Sequence, residues 1–153
     1  MEQLVQRARH YSALLFGVAF VWIGIQHFTN VKFFLPIVPK VLGAPEFWVY
    51  LSGIIEIILG LSLMVPMYRK TGAKATAVFL VVIYWANANM WINDIPLQGN
   101  TFSTSAHMMR AMAQVAMFAL AIWIAEIKIV KEKKAFTPSE EGVEAETRAG
   151  TSL

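Results

Sequence analysis

The chain contains no cysteine. That excludes thiol–disulfide catalysis, Cys-ligated clusters and structural disulfides. Charge is scarce too: Asp, Glu, Lys and Arg make up 15% of the residues, against about 25% in a soluble domain. There is no H-E-x-x-H and no glycine-rich phosphate loop. The 3 histidines are scattered, so no metal site is expected. No Ser-His-Asp set can be assembled. The net charge of +3 is no nucleic-acid signature, because the basic residues gather beside apolar runs.

Those runs dominate what is present. Apolar types account for 57% of the 153 residues and are concentrated in four stretches, about 11–28, 47–67, 72–92 and 108–129. Each has roughly the 20 residues that a ~30 Å hydrocarbon layer demands. Backbone donors and acceptors must pair internally in lipid, so the stretches are expected to be helices. The first follows Arg7, Arg9 and His10 and is read as a retained span, because no small-x-small cleavage site closes it. The expected fold is all-α: an integral membrane four-helix bundle over residues 1–130. A disordered, charged cytoplasmic tail is expected over 131–153.

Of the 13 Lys and Arg residues, Arg7, Arg9, Arg69, Lys70, Lys74, Lys128, Lys131, Lys133, Lys134 and Arg148 fall on one side. The remaining three, Lys32, Lys40 and Arg110, fall on the other. The positive-inside rule then places both termini in the cytoplasm, N-in/C-in. The first outer connection, Thr29 to Glu46, is apolar yet holds Pro36, Pro39 and Pro45. It is expected to lie at the interface or to fold over the outer mouth, without a long regular helix.

Polar residues within the spans mark the candidate site. Glu56 sits in the middle of the second span, where a charged carboxylate costs about 3 kcal/mol or more. It must be satisfied internally, protonated or used. His27 ends the first span. Ser52 lies one turn from Glu56. Asn87 and Asn89 lie near the outer end of the third span, and their ~200° separation stops them sharing one narrow face. His107, Arg110 and Gln114 follow i, i+3, i+7 spacing in the fourth and share a face. Gly53 and Gly60 flank Glu56 at the same spacing and would let another helix approach. A contact of Glu56 with Arg110 or Gln114 is expected if the second and fourth spans are neighbours. The bland alternative is that such groups only bond neighbouring helices, for about 0.6 kcal/mol each.

Glu56 and His27 are thus the candidate catalytic, proton-handling groups. Ser52, Asn87, Asn89, His107, Arg110 and Gln114 are the candidate cofactor-binding groups. A quinone is the cofactor class such a chamber could host, its ring exchanging protons with carboxylate and imidazole.

The order of motifs resembles the DoxX/DoxD-like family of small membrane proteins. The residues that carry it are Gly24, His27 and Phe28 (G-x-x-H-F), Ile37–Pro39 (I-V-P), and Tyr50, Ser52, Gly53, Glu56 and Gly60 (Y-L-S-G-x-x-E-x-x-x-G). The basic turn at Arg69 and Lys70 and the end of the third span, Ala86 to Met90, complete it. The resemblance implies a bacterial cytoplasmic membrane protein, working as an accessory or quinone-interacting subunit of a membrane redox system. The implied partners are the lipid bilayer and a membrane or soluble oxidoreductase. Oligomers are compatible with this, and nucleic acid is not a partner. Two other readings stand beside it: a non-catalytic membrane chaperone or scaffold, and a small-solute or lipid carrier.

Overall fold

In the computed structural model, residues 1–97 and 99–126 are described. The expected tail at 131–153 and the basic residues Lys128, Lys131, Lys133 and Lys134 lie outside them. The described chain is α-helical, and four of its helices are long and apolar enough to cross a membrane. These are α1 (Glu2–Thr29), α3 (Pro45–Met64), α4 (Arg69–Ile92) and α5 (Thr104–Ile124), with a one-turn helix α2 (Val31–Phe34) between the first two. Leu15, Val78, Val115 and Ile58 are among many large apolar side chains left mostly exposed. In water such a surface would aggregate; against acyl chains it is the ordinary outer face of a bundle.

The helix ends correct the expected spans. Hydropathy places the start of the first span at 11, but α1 begins at Glu2, since a helix continues through polar residues outside lipid. The second span was expected to reach 67, and α3 stops at Met64. Pro66 drives the preceding residue out of the helical region, and Val65 is extended at φ −85°, ψ 116°. The third begins at Arg69 rather than 72. The fourth begins at Thr104 rather than 108. Ser103 caps it, its hydroxyl accepting the Ala106 N–H at 3.4 Å.

α3 packs on α1 and on α4, and α5 packs on α4 with a smaller contact to α1. The α1–α3 seam is the closest. A Cβ placed on Gly17 would lie 2.6 Å from the Gly60 carbonyl oxygen, and one on Gly24 would lie 2.8 Å from that of Gly53. Glycine pairs at matching seven-residue spacing therefore bring two backbones into contact. Ala13, Phe16, Phe20, Leu59, Leu63, Ala77 and Leu80 fill the half of the bundle nearer the α3–α4 turn. The polar residues gather in the other half.

The α3–α4 turn is tied by charge. Arg69 donates from Nε to Leu63 O at 2.9 Å and from Nη2 to Met64 O at 3.3 Å, covering the last carbonyls of α3. Glu126, just beyond α5, accepts from Arg9 Nη1 at 2.6 Å and also pairs with Lys70. Arg9 in turn lies over the Trp123 ring, 5.4 Å from its centroid. One carboxylate thus joins α1, α4 and the end of α5. Its hydrogen bond from Lys70, with the charges of Lys70 and Arg9, holds the Glu126 carboxyl below the ordinary carboxylate range. A depressed folded-state value means the link is present at neutral pH and disappears as pH falls through that value. Melting of wild type and Glu126→Gln should therefore differ near neutral pH and converge as pH falls through that depressed value. A constant difference across that range would contradict the assignment.

Candidate functional site

Antiparallel packing of α1 on α3 sets His27 against the Gly53 turn: a Cβ on Gly53 would fall 2.6 Å from His27 Cβ. Glu56 is one turn further along α3 and leans back toward that helix's N-terminus. The two side chains meet, His27 Nδ1 lying 3.2 Å from Glu56 Oε2. Both are buried, His27 at 5% and Glu56 at 8% exposure.

Hydrogen-bond geometry makes the pair unequal. His27 Nδ1 also lies 2.9 Å from the Ile23 carbonyl oxygen. A carbonyl can only accept, so the Nδ1 proton belongs to that bond and fixes the tautomer. Glu56 Oε2 is near enough for an ion pair but has no aligned donor, and it is a buried oxygen without a hydrogen-bond partner. Distance alone would call this a closed pair; the direction of the one proton says that it is incomplete. His27 Nε2 makes no hydrogen bond among the described residues. The centre therefore offers one underused acceptor oxygen and one uncommitted ring nitrogen.

An aromatic cap lies over it. Phe34 of α2 stacks on the imidazole with centroids 3.8 Å apart and planes 20° apart, and Phe33 meets Phe34 edge-on at 5.1 Å. The prolines confine the rest of this connection to 3-10 turns at Leu35–Ile37 and Lys40–Leu42. Asn89 Nδ2 donates to Ile37 O at 3.4 Å, tethering it to α4. Trp48 Nε1 donates to Leu42 O at 3.3 Å, tethering it to α3. Removing the cap should open the centre. Phe34→Ala is expected to raise diethylpyrocarbonate labelling of His27 several-fold in intact membranes, read by peptide mass spectrometry, with His107 unchanged. Equal labelling of His27 in both proteins would show that Phe34 shields nothing.

The other candidates fall elsewhere. Ser52 Oγ donates to Val49 O at 2.9 Å, so its hydroxyl is committed to its own helix rather than to Glu56 one turn away. Gln114 Nε2 donates to Leu80 O at 2.7 Å. Arg110 Nη1 lies 2.9 Å from Met90 Sδ. Neither pairs with Glu56, because α3 takes α1 and α4 as its neighbours and α5 flanks α4. Of the two asparagines, Asn89 is engaged, bonded to the capping connection and accepting from Asn93 Nδ2 at 2.9 Å. Asn87 is half-buried with no bond among the described residues. On the opposite stripe Trp91 stacks on His107 of α5 with centroids 5.7 Å apart. Among the described residues no cluster of three or more His, Cys, Asp or Glu could hold a metal.

A groove of about 660 Å³ runs between α4 and α5, lined by Leu80, Tyr84, Met112, Gln114, Val115 and Phe118 among others. A second hollow of about 380 Å³ lies beside Leu35 and Ala44–Phe47. Neither touches His27 or Glu56, which are packed closed beneath Phe34.

Residues 16–125 match the model of a family described as Domain of unknown function (DUF8561). The chain belongs to that family. The match takes in all of α3, α4 and α5, and α1 from Phe16, and so includes both His27 and Glu56. It overturns the resemblance to the DoxX/DoxD-like family. The shared letters have a physical origin: small-x-x-His on one helix and Gly-x-x-Glu-x-x-x-Gly on the next are what any close helix pair enclosing a carboxylate–imidazole contact requires. The chain matches none of the curated proteins and none of the solved structures compared with it.

Proposed function

We propose that this protein is a multi-pass protein of the bacterial cytoplasmic membrane that binds a quinone-class headgroup at the His27–Glu56 centre and exchanges protons with it. It would act as an accessory subunit beside a membrane or soluble oxidoreductase that supplies the electrons. The observation that carries this reading is the buried Glu56 Oε2, which lacks a donor although an imidazole lies 3.2 Å away. A quinol hydroxyl is a neutral donor suited to that oxygen and soluble in the same lipid. His27 Nε2, without a hydrogen bond among the described residues, would serve the ring's other exchange, the headgroup taking the place on the imidazole that Phe34 now holds. Reduction of a quinone takes up two electrons and two protons. Glu56 and His27 would hand those protons on from the aqueous side, the carboxylate and imidazole each cycling through one protonation. The excess of Lys and Arg beside the α3–α4 turn supports an arrangement with both termini in the cytoplasm and the Phe34 cap outside.

The test is titration of the purified full chain, in lipid nanodiscs, with a short-chain quinol, following tryptophan fluorescence. Glu56→Gln should weaken binding by about 2 kcal/mol, roughly thirtyfold in Kd, and leave the helical circular dichroism unchanged. Quinol that fails to saturate the wild-type signal, or binds both proteins alike, would end this reading. The apolar α4–α5 groove favours a second one, a non-catalytic scaffold whose partner lays a membrane helix there. Val115→Trp would then release the partner while quinone had no effect on either protein.

A further inference from the structure

The cap on α5 has a second consequence. Ser103 starts the helix so that His107 and Arg110, at i and i+3, emerge on one face of its first turns. His107 is 4% exposed. It stacks on Trp91 with planes only 4° apart and meets Phe102 edge-on at 6.1 Å. Neither of its ring nitrogens has a hydrogen-bond partner among the described residues. Arg110 lies over the same Phe102, its guanidinium carbon 4.7 Å from the ring centroid. Its nearest described polar contact is Met90 Sδ at 2.9 Å, and a thioether is a weak acceptor. No carboxylate among the described residues lies within 4.0 Å of it. Glu46 and Asp94, the acidic residues beside this end of the helices, are both solvent-exposed. Glu56 lies beside His27 on the α1–α3 seam, 3.2 Å from its Nδ1.

A half-buried guanidinium near the end of a membrane span, with no anion beside it among the described residues, is costly to keep. His107, a buried residue whose ring nitrogens have no hydrogen-bond partner among the described residues, is a second uncommitted group at the same aromatic corner. One kind of group meets both: a planar fork binds an oxyanion through paired N–H bonds, and an imidazole N–H adds a third. We propose that His107 and Arg110 hold a phosphate-class oxyanion, separate from the His27–Glu56 centre. Two sources share that chemistry, the phosphodiester of a membrane lipid and free phosphate. Met108, Met109 and Ile92, exposed beside the site, are acyl-chain surface, and they favour the lipid.

The experiment uses the full chain, delipidated in a neutral maltoside detergent. Native mass spectrometry measures retention of phosphatidylglycerol against diacylglycerol of the same chains, which lacks the phosphoglycerol headgroup. Phosphatidylglycerol should be retained about tenfold better by wild type. Arg110→Gln and His107→Phe should each erase most of that preference. Arg110→Lys, which keeps the charge but loses the fork, should retain an intermediate amount and guards against misfolding, checked by circular dichroism. Displacement of the lipid by millimolar inorganic phosphate would keep the oxyanion site and assign it to a free anion. Equal retention of the two lipids by wild type, or an unchanged preference in Arg110→Gln, would overturn the proposal.

Discussion

Gly60→Ala should be among the most damaging single substitutions in the bundle, although it adds one methyl group. Its new Cβ would lie 2.6 Å from the Gly17 carbonyl oxygen and 2.9 Å from the Val21 backbone nitrogen. Neither is the end of a flexible side chain, so relief requires one helix to move. Overpacking of this kind costs about 1–3 kcal/mol, and the upper end applies where backbone blocks backbone. In a membrane the loss is not softened by a hydrophobic term, because van der Waals contact itself holds the helices together. Unfolding in mixed micelles with increasing sodium dodecyl sulfate should show a loss of about 2–3 kcal/mol for Gly60→Ala. Gly99→Ala, at a turn with open space around it but φ 81°, should lose about 1 kcal/mol from backbone strain alone. A Gly60→Ala loss smaller than that of Gly99→Ala would mean that α1 and α3 are not in backbone contact, and the placement of His27 beside Glu56 would go with it.

The second large effect concerns the pair itself. His27→Leu leaves the Glu56 carboxyl buried with its one nearby polar partner gone. Taking the polar neighbour away from a buried acceptor costs about 1–3 kcal/mol, whereas replacing both by apolar groups is often neutral. His27→Leu should therefore be destabilised by about 2 kcal/mol, and the double variant His27→Leu/Glu56→Leu should recover most of that loss. Glu56→Leu alone should be mild, because His27 keeps its bond to Ile23 O. Strict additivity of the two single changes in the same unfolding assay would show that the side chains do not interact, whatever their separation.

The spans were readable because twenty apolar residues in a row have few other uses in a protein. Their ends were not, since hydropathy reports where lipid begins and the helix answers to caps and prolines. Ser103 and Pro66 set the true ends of α5 and α3, and both were visible as letters. The identities of Glu56 and His27 were equally legible, as costly groups in an apolar context. Their partnership was not. Periodicity says which residues share a face and nothing about which helix faces it, so Arg110 and Gln114 on α5 looked as eligible as His27 on α1. A signal did exist: Gly17 and Gly24 on α1 repeat the seven-residue spacing of Gly53 and Gly60 on α3, and matched glycine faces mark the closest helix pair. Glu126 passed unnoticed inside the expected fourth span, 108–129. An acid between that span and the basic residues of the same end could have been paired with Arg9 and Lys70 on charge alone. The capping role of Phe34 had no sequence signature beyond an apolar loop.

Infrared difference spectroscopy of the membrane-embedded protein reaches the central claim most directly. Spectra recorded before and after addition of a short-chain quinol, in light and heavy water, isolate carboxyl C=O bands that respond to a new hydrogen bond. If the incomplete acceptor at Glu56 is where the ring is received, a deuterium-sensitive carboxyl band shifts on addition, and Glu56→Gln removes both the band and the shift. A wild-type spectrum that does not change with quinol, or a shift that survives in Glu56→Gln, would leave His27 and Glu56 as a structural contact between two helices.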